Sequence, residues 1–149
     1  MAEGPTDPSP IRILLADDDE DDRLMAREAF ELSLLTNPLD EVTDGVELME
    51  HLYGLLDAGS PLPGLILLDL NMPRKDGREA LEEIKGHPEL RRIPVVVLTT
   101  SKAEEDIYRT YDLGVNSFIS KPISFDGLVS VMTELGRYWL EIVELPGAA

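Results

Sequence analysis

Short apolar runs alternate along the chain with longer stretches in which apolar residues return every three or four positions. Residues 11–16 are apolar apart from Arg12, residues 65–68 are apolar throughout, and residues 95–98 follow Pro94 as an unbroken Val-Val-Val-Leu. Runs without alternation suit strands covered on both faces, as in a parallel sheet. Residues 39–43 alternate only partly and predict an edge strand, and residues 115–120 predict a short final one.

The intervening stretches predict helices. Asp21 or Asp22 starts the first, with Leu24, Met25, Ala29, Phe30 and the leucines at 32, 34 and 35 as its apolar positions, and Asn37-Pro38 stops it. Asp44 followed by Glu47 has the spacing of a capping box and opens a helix carrying Val46, Leu48, Met49, Leu52, Leu55 and Leu56 inward. Residues 78–86 place Ala80, Leu81 and Ile84 on one side. Ser101 and Glu104 repeat the capping pattern for a helix through Leu113, which Gly114 closes. Ser124 or Asp126 starts a last helix reaching beyond Trp139. Five strands alternating with five helices predict an α/β domain with a doubly wound parallel sheet and right-handed crossovers. The proline-rich residues 1–10 predict a leader with no role in the fold.

Composition narrows the class. A chain of 149 residues has the size of one ordinary domain, and without cysteine it has neither a disulfide framework nor a thiolate metal site. Thirteen Lys and Arg against thirty acids, a net charge of -17, argue against a nucleic-acid surface. No run approaches a membrane span, and the first residues lack the basic-then-apolar pattern of a signal peptide. The expectation is a soluble cytoplasmic protein that binds neither nucleic acid nor membrane.

The unusual polar residues all fall where predicted strands end. Asp17, Asp18 and Asp19 follow the first strand, Asp69 the third, Thr99 and Thr100 the fourth, and Lys121 the fifth. In open α/β sheets ligands bind beyond the carboxyl ends of the strands, near the point where strand order reverses. Asp69 stands out, because a carboxylate at the end of a buried strand loses hydration unless it is paired, metal-bound or used in chemistry. Taken singly, each residue has a plainer reading: the run 17–22 as a solvated loop and negative helix start, Thr99 and Ser101 as caps, Lys121 as a surface cation, Phe118 as core.

Together these positions resemble the receiver domain of bacterial response regulators, the phosphoacceptor half of two-component signalling, over residues 11–137. The resemblance rests on the acid pair Asp17-Asp18, the motif Asp69-Leu70-Asn71-Met72-Pro73, Thr99 and Lys121-Pro122, at the family's intervals. It implies a flavodoxin-like (βα)5 sandwich with strand order 2-1-3-4-5. Asp69 would take a phosphoryl group from a phosphohistidine on a sensor histidine kinase. Mg²⁺ would be bound by Asp18, Asp69 and the backbone carbonyl of Asn71, with Asp17 holding one of its waters. Lys121 would pair with Asp69 or a phosphoryl oxygen, Thr99 would move to the phosphoryl group, and Phe118 would turn inward as the switch. Asn71 and Ser101 would tune the lifetime of the acyl phosphate, so the protein is expected to be no enzyme beyond slow autodephosphorylation.

The triplet Asp17-Asp18-Asp19 also resembles the opening of haloacid-dehalogenase-type phosphatases. That family needs another acidic metal-binding motif well after its lysine, where only Asp126 lies close behind Lys121, and it leaves the motif at Asp69 unexplained. His51 and His87 lack the context of phosphotransfer residues and read as surface positions.

Nothing after the last helix is long enough for an output domain, so the output is expected to be a contact. Leu128, Val131, Met132, Leu135, Trp139, Ile142 and Val143 continue one helical stripe, widened by Tyr138, Leu140 and Leu145. The extension 138–149 resembles that of small response regulators paired with cyanobacterial and bacterial phytochromes. This implies a bacteriophytochrome-type kinase as donor. The apolar stripe itself predicts a homodimer using Leu128, Tyr138, Trp139, Ile142 and Val143, the alternative being a tail that folds back on its own domain. Two outputs stay open at this stage: a switch read by a target protein, and a relay to a downstream histidine phosphotransfer protein.

Overall fold

The computed structural model describes residues 12–33, 37–99, 112, 114–115, 117–120 and 124–135. Strands β1 (Ile13–Ala16), β2 (Leu39–Val42), β3 (Leu65–Leu68), β4 (Val95–Thr99) and β5 (Ser117–Ser120) form one parallel sheet in the order β2-β1-β3-β4-β5. Helices α1 (Glu20–Leu32), α2 (Gly45–Ala58), α3 (Gly77–Gly86) and α4 (Phe125–Leu135) pack around it, with a 3₁₀ turn at Leu90–Arg92 that the sequence pattern did not suggest. This is the doubly wound flavodoxin-like arrangement expected. The helix expected over 101–113 lies, apart from Asp112, outside the described residues, as do the leader 1–10 and the extension 138–149. Among the described residues no helix is long and apolar enough to cross a membrane.

Apolar runs produce this sheet because successive side chains point to opposite faces and both faces are covered. Leu14, Ala16, Ile66, Leu68, Val95 and Val97 enter one core with Leu48, Leu52, Leu81 and Ile84 of α2 and α3. Their neighbours Ile13, Leu15, Leu65, Leu67, Val96 and Leu98 enter the other with Ala26, Ala29 and Phe30 of α1 and Leu128 and Met132 of α4. A one-residue slip of any central strand would exchange its two sets of side chains, so register is tightly specified.

Several local expectations shift. Asp19 caps α1, accepting from the amides of Asp21 and Asp22, so the helix starts at Glu20. At 3.6 residues per turn the arc facing the sheet centres on Ala26, Ala29 and Phe30, which leaves Leu24 on the far side and Leu32 on the flank, 45% and 61% exposed. At α2, Asp44 accepts from the Glu47 amide, but the Glu47 carboxylate returns to the amide and hydroxyl of Thr43, not to Asp44. The reciprocated capping box is at α3, between Asp76 and Glu79.

Edge strand β2 carries Asp40 and Glu41, which would weaken a free edge against further pairing. Asp40 takes a two-armed hydrogen bond from Arg12 at 2.7 and 2.8 Å, and Glu41 one from Arg27 at 2.8 and 3.1 Å. The Arg12 guanidinium holds the Asp40 carboxyl below the ordinary aspartate range. A lowered carboxylate adds stability that is complete above about pH 4 and is lost as pH falls through the folded value. For an exposed pair the contribution is ~0.5 kcal/mol. Denaturant unfolding of the wild type and Asp40→Asn between neutral and acid pH is expected to show that gap at neutral pH and its disappearance at acid pH.

The turn after β3 closes tightly. The Gly77 amide donates to the Leu70 carbonyl at 2.8 Å, and a Cβ on Gly77 would stand 2.3 Å from the Asp69 carbonyl oxygen. Gly54, inside α2, has open space around it. Gly77→Ala is therefore expected to cost ~2 kcal/mol through overpacking, whereas Gly54→Ala gains up to ~1 kcal/mol of helix propensity. Urea unfolding of both variants checks the opposite signs.

Candidate functional site

From β1 the chain runs outward to β2 and then returns across the sheet to β3, so strand order reverses between β1 and β3. The register Ala16↔Leu68 makes Asp17 and Asp69 neighbours just beyond the two strands. The Asp69 amide still donates to the Ala16 carbonyl at 2.9 Å, and the Asp17 amide to that of Val42 at 3.1 Å, so both backbones continue the ladders. One carboxylate oxygen each from Asp17, Asp18 and Asp69 lies within 4.8 Å of the other two. Asp17 and Asp69 are buried, 2% and 7% exposed, while Asp18 faces solvent.

Two full negative charges at this spacing repel by about 3 kcal/mol at an effective dielectric near 20. Neighbouring dipoles offset part of this. Asp17 Oδ1 accepts from the Asp19 amide at 3.0 Å, and Asp69 Oδ1 accepts from the Asn71 amide at 3.0 Å. Arg23 Nη1 donates to the Asp17 carbonyl at 2.9 Å. A cluster of carboxylates without imidazole or thiolate is a donor set for a hard divalent cation such as Mg²⁺. Asp19, third of the acid run, is turned away into the cap of α1.

At the end of β4 the fully buried Thr99 accepts from Asn71 Nδ2 at 3.2 Å. The structure thus brings Asp17, Asp18, Asp69, Asn71 and Thr99 together. Phe118, paired with Val97 across β4 and β5, is half-buried against the core beneath α2 and α3. Lys121, Ser101, Tyr138, Trp139, Ile142 and Val143 lie outside the described residues. Leu128 requires a correction. Expected on a partner surface, it is 2% exposed and packs with Phe30 and Met132 in the core under α1 and α4, because the first turn of α4 faces the sheet. His87 has a structural part: its Nδ1 accepts from the amides of Glu89 and Leu90 beyond α3.

The sequence reading missed an arrangement beside the site. Arg74, in the loop between β3 and α3, has φ 67° and makes a two-armed hydrogen bond to Asp44 at 2.9 and 3.2 Å. Burial pushes the Asp44 carboxyl up, but the Glu47 amide and the Arg74 guanidinium together leave it below the ordinary range. Nothing in the spacing of two residues thirty positions apart signals that contact.

Comparison with known proteins adds to this geometry. The response regulator receiver domain model matches residues 13–133. The response regulator Rcp1 of Synechocystis sp. is 43% identical over 140 residues, covering 93% of this chain and 95% of Rcp1. The phosphorylated cyanobacterial phytochrome response regulator RcpA superposes with a TM-score of 0.84 at 42% identity, covering 93% of this chain and 99% of that one. The Mn²⁺-bound form of Rcp1 superposes with a TM-score of 0.81 at 42% identity, covering 92% and 99%. Sheet order, the acid cluster at the strand-order reversal and these likenesses agree: the chain belongs to the response regulator receiver domain family, the phosphoacceptor proteins of two-component signalling.

Proposed function

We propose that Asp69 is the phosphoacceptor. The observation that carries this reading is the cluster itself: a buried carboxylate at the end of β3, in reach of Asp17 and Asp18 and aligned by the Asn71 amide. An Asp69 oxygen forms the new bond to phosphorus while the bond from phosphorus to the donor histidine's ring nitrogen breaks. The electron pair stays on the imidazole, which takes up a proton. Asp18, Asp69 and the Asn71 carbonyl would hold Mg²⁺, with Asp17 acting through a water. Bound there, the cation neutralises the charge that accumulates as two anions meet.

The remaining residues act around that centre. Asn71 holds the Thr99 hydroxyl at the edge of the site, and Thr99 is the hydroxyl that turns to the phosphoryl oxygens. Lys121 supplies the compensating ammonium, and Phe118 turns inward as Thr99 moves, biasing a two-state surface. Asn71 and Ser101 set how water reaches the acyl phosphate, whose slow hydrolysis is the protein's only turnover. Histidine kinases are the partners of this family. A phytochrome-linked sensor as donor is supported by likeness to RcpA, and a cytoplasmic setting fits such a donor. A homodimer through the extension 138–149 is supported by its apolar stripe of Tyr138, Trp139, Ile142 and Val143. A downstream histidine phosphotransfer protein would receive the group if the protein relays.

Incubation with acetyl phosphate and Mg²⁺ followed by intact-mass measurement tests the reading. One phosphoryl adduct is expected for the wild type, none for Asp69→Asn, a reduced yield for Lys121→Ala, and none once a chelator removes the metal. An adduct that survives Asp69→Asn contradicts the assignment. Asp18→Asn is expected to weaken Mg²⁺ at least about tenfold, read by titration calorimetry.

A further inference from the structure

The loop between β3 and α3 carries Asn71, and it is fastened at its base and at its tip. At its base Gly77 seats on Leu70 and Asp69. At its tip Arg74 reaches the N-terminus of α2, where Asp44 Oδ2 accepts from Nε at 2.9 Å and Oδ1 from Nη2 at 3.2 Å. The same Asp44 Oδ1 accepts the Glu47 amide at 2.8 Å, so one buried carboxylate caps a helix and grips the loop. Next to it the backbones nearly touch: a Cβ on Gly45 would stand 2.0 Å from the Lys75 carbonyl oxygen. Lys75 itself pairs with Glu83 of α3, which also accepts from Tyr53 of α2.

Arg74 is the sole non-glycine residue with positive φ among the described residues. A side chain in the left-handed region costs of order 1 kcal/mol, and such residues persist where surrounding contacts over-determine them. Those contacts are the two hydrogen bonds to Asp44. They are charge-assisted and planar, which fixes the guanidinium in orientation as well as distance. Two residues, Met72 and Pro73, separate the clamped position from Asn71, whose amide holds Asp69 and whose side chain holds Thr99.

We infer that Asp44 and Arg74 are positioning residues, a latch from α2 that holds the loop so that Asn71 stands correctly over the acid cluster. The inference rests on the assignment of that cluster as the metal and phosphoryl site. Opening the latch frees the loop tip, and the Asn71 carbonyl and amide lose their fixed places. Neither residue touches the reacting atoms, so the effect is on metal affinity and on the rate at which Asp69 is phosphorylated.

Arg74→Ala, Arg74→Gly and Asp44→Asn separate the effects. Asparagine caps a helix as well as aspartate does, so Asp44→Asn opens the latch while α2 stays capped. Glycine accepts the left-handed backbone, so Arg74→Gly is expected to melt above Arg74→Ala. All three are expected to bind Mn²⁺ about tenfold more weakly by titration calorimetry, the lower end of the loss when groups orienting metal ligands are removed. Amide hydrogen exchange over 70–76, measured without metal, is expected to accelerate while the central strands exchange as before. The double variant Asp44→Asn/Arg74→Ala is expected to be no weaker than Arg74→Ala alone, because the two residues make one interaction. Unchanged exchange over 70–76 overturns the latch, and so does Mn²⁺ affinity that stays at the wild-type value. Faster exchange in the variants, with a wild type that takes no phosphoryl group on Asp69, keeps the latch and removes the phosphoacceptor reading instead.

Discussion

Two buried carboxylates side by side, Asp17 and Asp69, are the constraint around which the rest of this molecule is organised. Parallel pairing of β1 with β3 in the register Ala16↔Leu68 sets them side by side. An anion out of water is tolerated only where dipoles or cations replace its hydration. Here the amides of Asp19 and Asn71 do part of this, and the oxygen-only donor set suits a hard cation. Folding therefore assembles three carboxylates within reach of one another where the strand order reverses. A site of that kind responds strongly to a cation or a phosphoryl group.

Below the site the structure is made to resist that response. Valine, leucine and isoleucine at alternate strand positions fill two separate cores, so the sheet offers few ways to yield. At the rim the design differs: Asn71 sits in a loop closed by Gly77 at its base and by Asp44 with Arg74 at its tip. Thr99, buried at the end of β4, touches both regions, since its backbone belongs to the sheet and its hydroxyl to Asn71. Thr99 pairs with Ser120 and Val97 with Phe118, so β4 joins the rim of the site to β5.

Much of this was legible in the sequence because it depends on periodicity and on residue type at strand ends. Unbroken apolar runs marked β1, β3 and β4 as interior strands, and the acids after the first and third marked the site. The part that was not legible depends on direction in space. Leu24 and Leu128 are both leucines on apolar stripes, yet one is exposed and the other buried, because the choice is made by how each helix sits on the sheet. Asp17, Asp18 and Asp19 are equivalent as letters. Only the start of α1 at Glu20 separates the two that join Asp69 from the one that caps. The pairing of Arg74 with Asp44 joins two loops through a left-handed residue that no spacing rule identifies.

The central proposal is that a carboxylate oxygen of Asp69 carries the phosphoryl group. Borohydride reduces an acyl phosphate to an alcohol, so an aspartyl phosphate becomes homoserine and the position is recorded permanently in the chain. After phosphorylation, reduction and peptide sequencing by mass spectrometry, homoserine at position 69 and at no other aspartate is the predicted result. Homoserine at Asp17 or Asp18, or a phosphoryl group found on His51 or His87, would contradict it.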